Sequence, residues 1–303
     1  MTSSRRYELP EELRIDTVTA RRIVTGFIRG QLDQAGFDRV VLALSGGIDS
    51  ALVAYLLAEV TGPQRLLCLL MPSRTSSAAS REDAEDVVER LGCTSELVEI
   101  GPLVDAYFGS LAGGPGAAGP EGLAASPLRR GNFMARARML VLYDRSVTWN
   151  GLVAGTGNKT ESLIGYTTVY GDSACAFNPI GDLYKSQVRQ LAEAVGVPHR
   201  ILDKAPSADL WPGQTDEGEG GFSYPELDRL LYRLVDRRLT SEQVVAEGFE
   251  PSLVARVEGL VARAEFKRQM PPIAKVGPRT VGVDYLYPRR RPGSVRPLPS
   301  TRQ

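Results

Sequence analysis

The stretch Val40-Val41-Leu42-Ala43-Leu44-Ser45-Gly46-Gly47-Ile48-Asp49-Ser50 decides the architecture: an apolar run, the hexapeptide SGGIDS, then an apolar-periodic segment from Ile48 through Val60. That order reads as strand, glycine turn and helix start. Gly46 and Gly47 allow positive φ and let backbone N–H groups approach an anion closely. The helix beginning beside them adds unpaired donors and the positive end of its dipole. Such a loop is built to hold phosphate. It is not a Walker A loop, because no lysine follows the second glycine and Asp49 stands in that region instead. A carboxylate beside bound phosphates makes sense when a cation such as Mg²⁺ sits between them. A plain packing turn, with Asp49 and Ser50 as helix-start residues, needs neither the serines nor the carboxylate.

Working outward, Glu11 to Ala35 places apolar residues at helical spacing and predicts an amphipathic helix before the first strand. After the loop come a strand at Arg65 to Met71, a helix at Ser80 to Leu91, a short strand at Glu96 to Ile100 and a helix near Pro102 to Phe108. Strands alternating with helices of this length predict a parallel, doubly wound α/β sheet with right-handed crossovers. Gly109 to Gly131 is rich in glycine, alanine and proline and reads as a loop. A helix is expected over Asn132 to Val147, a strand over Gly151 to Gly155, and helices divided by Pro/Gly loops over Asp182 to Lys267. The proline- and arginine-rich end from Tyr285 reads as a tail, giving one domain over 1–284 and a tail over 285–303.

Composition narrows the chemistry. The 36 basic and 36 acidic residues balance, so no global field recruits nucleic acid or an anionic membrane. No apolar run approaches the roughly 18 to 20 residues of a membrane span, and the start has no apolar core of a leader, so a cytoplasmic protein is expected. Cys68, Cys93 and Cys175 lack metal-ligand or CxxC spacing. The only histidine, His199, follows Val197-Pro198 and reads as a turn residue at a helix end, which all but excludes histidine-based triads and zinc sites.

The hexapeptide resembles the pyrophosphate loop of the N-type ATP pyrophosphatases, which split ATP into AMP and pyrophosphate. Three further stretches sharpen the likeness: GNFMARARM at Gly131 to Met139, the long segment from Gly155 to Leu210 that contains GTGNKTES, YGDSAC and APSADL, and FKRQMPP at Phe266 to Pro272. Together they resemble the NAD synthetase family from roughly Glu11 to Pro272. The resemblance implies a Rossmann-like fold of the adenine nucleotide alpha hydrolase type. It also implies amidation of deamido-NAD (nicotinic acid adenine dinucleotide): ATP activates the carboxylate as an acyl adenylate, and ammonia displaces AMP to give NAD.

Roles follow for individual residues. Ser45, Gly46, Gly47, Ile48, Asp49 and Ser50 would hold the pyrophosphate, and Thr156 and Ser207 would meet the same ATP. Asp49 and Glu161 are the expected Mg²⁺ ligands, and Lys185 the phosphate contact, because attack on an α-phosphorus needs charge neutralised on the leaving group. Asp172 would guide ammonia or take a proton from ammonium. Asn132 and Arg136, four apart on a helix, would contact deamido-NAD; Arg138 points elsewhere, and Lys267 is a further dinucleotide contact. Taken singly, these charges could equally be ordinary surface groups. Leu70-Met71-Pro72, Phe266 and Ala176 depart from residues common in ammonia-dependent members, so the adenylation site is firmer than the identity of the acid. Cys175 reads as a small packing residue.

The family also implies a homodimer that buries the first helix and the Asn132 helix. Ammonia is the expected nitrogen donor, since only 44 residues precede the loop, too few for a glutaminase domain of about 100 residues or more. Two alternatives stand: an amide synthetase acting on another carboxylate, and a nucleotide-binding protein without turnover. A tRNA-thiolating relative would need paired cysteines and a basic face.

Overall fold

The computed structural model describes residues 10–111, 126–206, 218 and 221–284. Packing divides the chain into a body, Met1–Lys267, and a second unit, Arg268–Gln303. The boundary falls at residue 267, whereas the sequence reading sets it after 284. In the second unit Lys275 pairs with Asp284 at 2.5 Å. The tail expected over 285–303 lies outside the described residues.

Among the described residues the body carries four parallel strands, β1 (Val40–Ala43), β2 (Leu66–Leu70), β3 (Thr94–Leu97) and β4 (Leu152–Ala154), in the order β3-β2-β1-β4. Val40 pairs with Leu66 on one side and with Leu152 on the other. Alternate side chains divide the sheet's faces, as the two-residue period of a strand requires. Val40, Leu42, Leu66 and Cys68 pack with helices α1 (Thr17–Ala35), α2 (Ile48–Thr61), α3 (Ala78–Leu91) and α7 (Lys185–Val195). Val41, Leu67 and Leu69 pack on the opposite face with α4 (Gly101–Ser110) and α5 (Pro127–Trp149). Burial on both faces is why β1 and β2 are continuous apolar runs rather than alternating ones.

A third apolar cluster joins Leu13, α6 (Lys159–Ile164), α9 (Tyr224–Leu231), α10 (Ser241–Ala246) and α11 (Pro251–Arg263). The short α8 spans His199–Leu202. The chain runs outward from β1 to β2 to β3 and then returns to β4 on the other side of β1. The loops leaving the carboxyl ends of β1 and β4 therefore open a crevice at the switch point, where α/β sheets bind ligands.

Four boundaries differ from the sequence reading. The first helix begins only at Thr17, because Asp16 caps it by accepting from the Val18 N–H; Glu11–Leu13 form a separate turn that buries Leu13 in the third cluster. The paired residues of β3 are Thr94–Leu97 rather than the more apolar Glu96 to Ile100, and Ile100 instead packs beneath α4. The helix expected from Asn132 starts at Pro127, a residue suited to a first helical turn, so the end of the presumed loop is helical. His199 opens α8 rather than closing a helix; α7 ends at Val195 with Gly196 left-handed. No helix among the described residues is long and apolar enough to cross a membrane.

Candidate active site

The hexapeptide closes on itself. The Ser50 hydroxyl donates to the Gly47 carbonyl (3.0 Å) and accepts from the Ser45 N–H (3.2 Å), while the Ser45 hydroxyl accepts from the Gly47 N–H (3.3 Å). The serines thus shape the turn. Gly47 takes the cap position of α2 without a side-chain cap, which leaves the helix's first N–H groups facing the crevice for an anion. Gly46 is left-handed (φ +78°), and a Cβ there would lie 2.0 Å from the Ser80 carbonyl oxygen, so only glycine lets the loop seat against α3.

The loop after β4 meets this turn through Asn158, whose side-chain amide donates to one oxygen of Asp49 (2.9 Å). Asn158 also caps α6: its carbonyl oxygen accepts from the Glu161 N–H (2.9 Å), and one Glu161 oxygen accepts in return from the Asn158 N–H (3.3 Å). This reciprocal cap aims the other Glu161 oxygen at Lys185 Nζ, 3.1 Å away, which also contacts the second oxygen of Asp49 at 2.5 Å. Residues from three separate elements, α2, α6 and α7, therefore converge on one point.

Two carboxylates around one ammonium leave a negative charge uncompensated. Burial, with the Asp49 charge adding to it and Lys185 opposing it, pushes Glu161 up to about 7. A divalent cation would relieve that demand. Among the described residues no cluster of three or more acidic, histidine or cysteine ligands could hold a metal. Mg²⁺ takes one or two carboxylates and fills its shell from substrate phosphate and water. The donor set of Asp49 and Glu161 fits it.

These residues line one end of a cavity of about 640 Å³, within the range of small-molecule sites. Ser45, Gly47, Ile48, Thr156, Asn132, Asp172 and Lys267 also line it. Asp172 accepts from the Thr167 hydroxyl and the Thr168 N–H, both at 2.8 Å, and Thr168 donates to the Asn132 side chain (2.7 Å). Lys267 donates to the carbonyls of Gly165 and Thr167, both at 2.7 Å; its burial lowers its pKa, with Asp172 opposing the shift. Tyr170 in this turn is left-handed (φ +57°), a costly conformation for a bulky residue that these clamps hold in place.

Arg138 lines the cavity and donates to the Met71 carbonyl (3.1 Å), which corrects the expectation that it points elsewhere. Arg136 donates to the Val169 carbonyl (3.2 Å) and is not among the lining residues of this one chain. Ser207 lies outside the described residues. Sequence reasoning missed Asn158, although its spacing three residues before Glu161 is a capping-box signal. It also missed Lys204, which lines the cavity and bonds Ser80 (3.0 Å) and Asp83 (2.9 Å).

The chain matches the NAD synthase family model over residues 20–271. It belongs to the NAD synthase family. It is 50% identical over 277 residues to an NH(3)-dependent NAD(+) synthetase of Trichlorobacter lovleyi, covering 91% of this chain and 97% of that one. Among solved structures, the NH3-dependent NAD synthetase of Campylobacter jejuni superposes with a TM-score of 0.71 at 34% identity, covering 86% of this chain and all of that one. An NMN synthetase of Francisella tularensis superposes with a TM-score of 0.74 at 30% identity, covering 86% of this chain and 99% of that one. Family membership spans β1 to the end of the body, so every element that builds the crevice falls within the match.

Proposed function

We propose that this member of the NAD synthase family adenylates the nicotinate carboxylate of deamido-NAD with ATP and amidates it with ammonia, releasing NAD, AMP and pyrophosphate. The observation that carries this reading is the convergence of Asp49, Glu161 and Lys185 beside an uncapped helix start, at one end of a cavity that continues to Asn132, Asp172 and Lys267. The 50% identity to an NH(3)-dependent NAD(+) synthetase supports the choice of ammonia.

In this reading the first N–H groups of α2 and the SGGIDS turn cradle the β- and γ-phosphates, which leave as pyrophosphate. Asp49 and Glu161 would hold Mg²⁺, which supplies charge neutralisation on the leaving group. Lys185, already held between the two carboxylates, turns its ammonium onto phosphate oxygens as charge develops there. Thr156, at the end of β4, and Ser207 are proposed to contact the same ATP. Asn132 and Lys267 face the acid, and Arg136 is proposed to reach a dinucleotide held across a subunit contact. Each oxygen of Asp172 accepts one hydrogen bond from the turn and keeps a lone pair, so the carboxylate can receive a proton from ammonium before the amine attacks.

The likeness to an NMN synthetase makes the size of the acid the point to test. With ATP, Mg²⁺ and ammonium, kcat/KM for deamido-NAD should exceed that for the corresponding mononucleotide acid by about tenfold or more, a modest demand on substrate discrimination. A preference for the mononucleotide would move the reading to a different carboxylate. Glutamine in place of ammonium should give little product, and at fixed total ammonium the rate should rise with pH as neutral ammonia accumulates. Equal rates with glutamine would remove ammonia as the donor.

A homodimer is also proposed. Ile28 of α1 and Met134 of α5 are buried within the chain. The two helices nevertheless present others: Val18, Ile23 and Phe27 on α1, and Leu140, Tyr143 and Val147 on α5, are exposed. Val18 and Val147 are 77% and 79% exposed, apolar surface that a second copy would cover. Light scattering of active protein at micromolar concentration should give twice the chain mass, and a monomer mass would refute this. A cytoplasmic location is supported by three cysteines outside any disulfide, two of them, Cys68 and Cys93, with sulfurs 3.6 Å apart.

A further inference from the structure

Lys185 is the first residue of α7, and Tyr184 at the cap position offers that helix no side-chain cap. The missing cap comes from a distant element. Asp228 of α9, fully buried, accepts from the Ser186 N–H with one oxygen (2.7 Å) and from the Thr160 hydroxyl with the other (2.6 Å). The same Thr160 hydroxyl accepts from the Lys185 N–H (2.9 Å). One carboxylate therefore satisfies two of the helix's orphan donors, one directly and one through Thr160.

The partners of Asp228 are not scattered. Thr160 immediately precedes Glu161 and Ser186 immediately follows Lys185, so the carboxylate ties together the backbones that carry two of the three converging charges. Tyr224, one turn before Asp228 on α9, sets its ring 5.2 Å from Lys185 Nζ. A carboxylate at 0% exposure is costly to bury unless fully bonded, and apolar side chains would pack α9 against α6 and α7 more cheaply. What a packing residue could not do is fix the Lys185 and Glu161 backbones in one register.

We infer that Asp228 is a positioning residue of the phosphate site, acting on the first turn of α7 directly at Ser186 and through Thr160 at Lys185 to hold the lysine against Asp49 and Glu161. This rests on the reading of Lys185 as the phosphate contact. A residue that acts through Lys185 should lose its effect once the lysine is gone, whereas a residue that only stabilises the fold should not.

The test is a cycle of Asp228→Asn in the wild-type and Lys185→Ala backgrounds, with kcat/KM measured separately for ATP and for deamido-NAD. Asp228→Asn should lower kcat/KM for ATP by about tenfold and that for deamido-NAD in parallel, since both report the same adenylation. KM for deamido-NAD should stay within about twofold. In the Lys185→Ala background the further loss should be under about twofold. Equal fold losses in the two backgrounds, or no loss in either, would overturn the inference. If Asp228→Asn fails to fold by circular dichroism, Thr160→Val, which removes the linking hydroxyl at nearly constant volume, is judged by the same criterion. Near-normal activity of Lys185→Ala alone would instead overturn the phosphate reading on which the inference stands.

Discussion

Lys185→Ala should lower turnover by about a hundredfold or more, the usual cost of losing a transition-state charge partner, with the melting temperature shifted by only a few degrees. The side chain is buried between Asp49 and Glu161 at the end of the cavity, with the Tyr224 ring beside its ammonium, so its removal takes charge from the site and little packing from the core. The fold also has a way to absorb the loss, because Glu161 is already pushed up to about 7 and can take a proton when no cation is bound. Asp49→Ala and Glu161→Ala should cost turnover on the same scale and weaken the dependence on Mg²⁺ concentration. Steady-state kinetics across Mg²⁺ concentrations, with thermal melts of each variant, provide the check. Near-normal turnover in Glu161→Ala would remove it from the metal site.

Gly46→Ala should be the most damaging change of a single methyl group. The residue is left-handed, and the new Cβ would have to share space with the Ser80 carbonyl, a backbone atom that cannot swing aside. Backbone strain of about 1 to 3 kcal/mol and a similar overpacking cost should lower the melting temperature by several degrees. The displaced loop should lower turnover at least tenfold or so, because phosphate donors act only when held in place. Gly36→Ala is the control: it has nearly the same φ, +74°, but nothing lies within 4 Å of its added Cβ. It should cost about 1 kcal/mol of strain and no turnover. Equal behaviour of the two variants would show that the fit against α3 does not matter.

The hexapeptide was legible because everything it needs is local: an apolar strand, two glycines and a helix start within eleven residues. The convergence on Lys185 is not local. Asp49 lies 136 residues away in the chain and Glu161 24, so no periodicity brings them together, and resemblance to a family had to supply the pairing. Helical spacing placed Asn132 and Arg136 on one face, and the two bond to neighbouring residues, Thr168 and Val169, although only Asn132 lines the cavity. It could not say how far the cavity wraps around α5, and so it misplaced Arg138. Asp228 sits in YPELDRLL, where a carboxylate beside Arg229 looks like a solvated position; only the meeting of α6, α7 and α9 turns it inward. For β3 the apolar Val98 and Ile100 drew the strand toward its end, although an edge strand can pair through polar residues such as Thr94 and Ser95.

The proposed reaction requires the carboxylate of the acid to attack the α-phosphorus of ATP. Deamido-NAD carrying ¹⁸O in its carboxylate, incubated with the protein, ATP, Mg²⁺ and ammonium, tests this directly by mass spectrometry of the products. The bond formed is between a carboxylate oxygen and the α-phosphorus, and the bond later broken is between the acyl carbon and that oxygen. One ¹⁸O should therefore appear in AMP and none in pyrophosphate, with NAD and AMP formed in equal amounts. Label in inorganic phosphate alongside ADP, or NAD formed with unlabelled AMP, would contradict it.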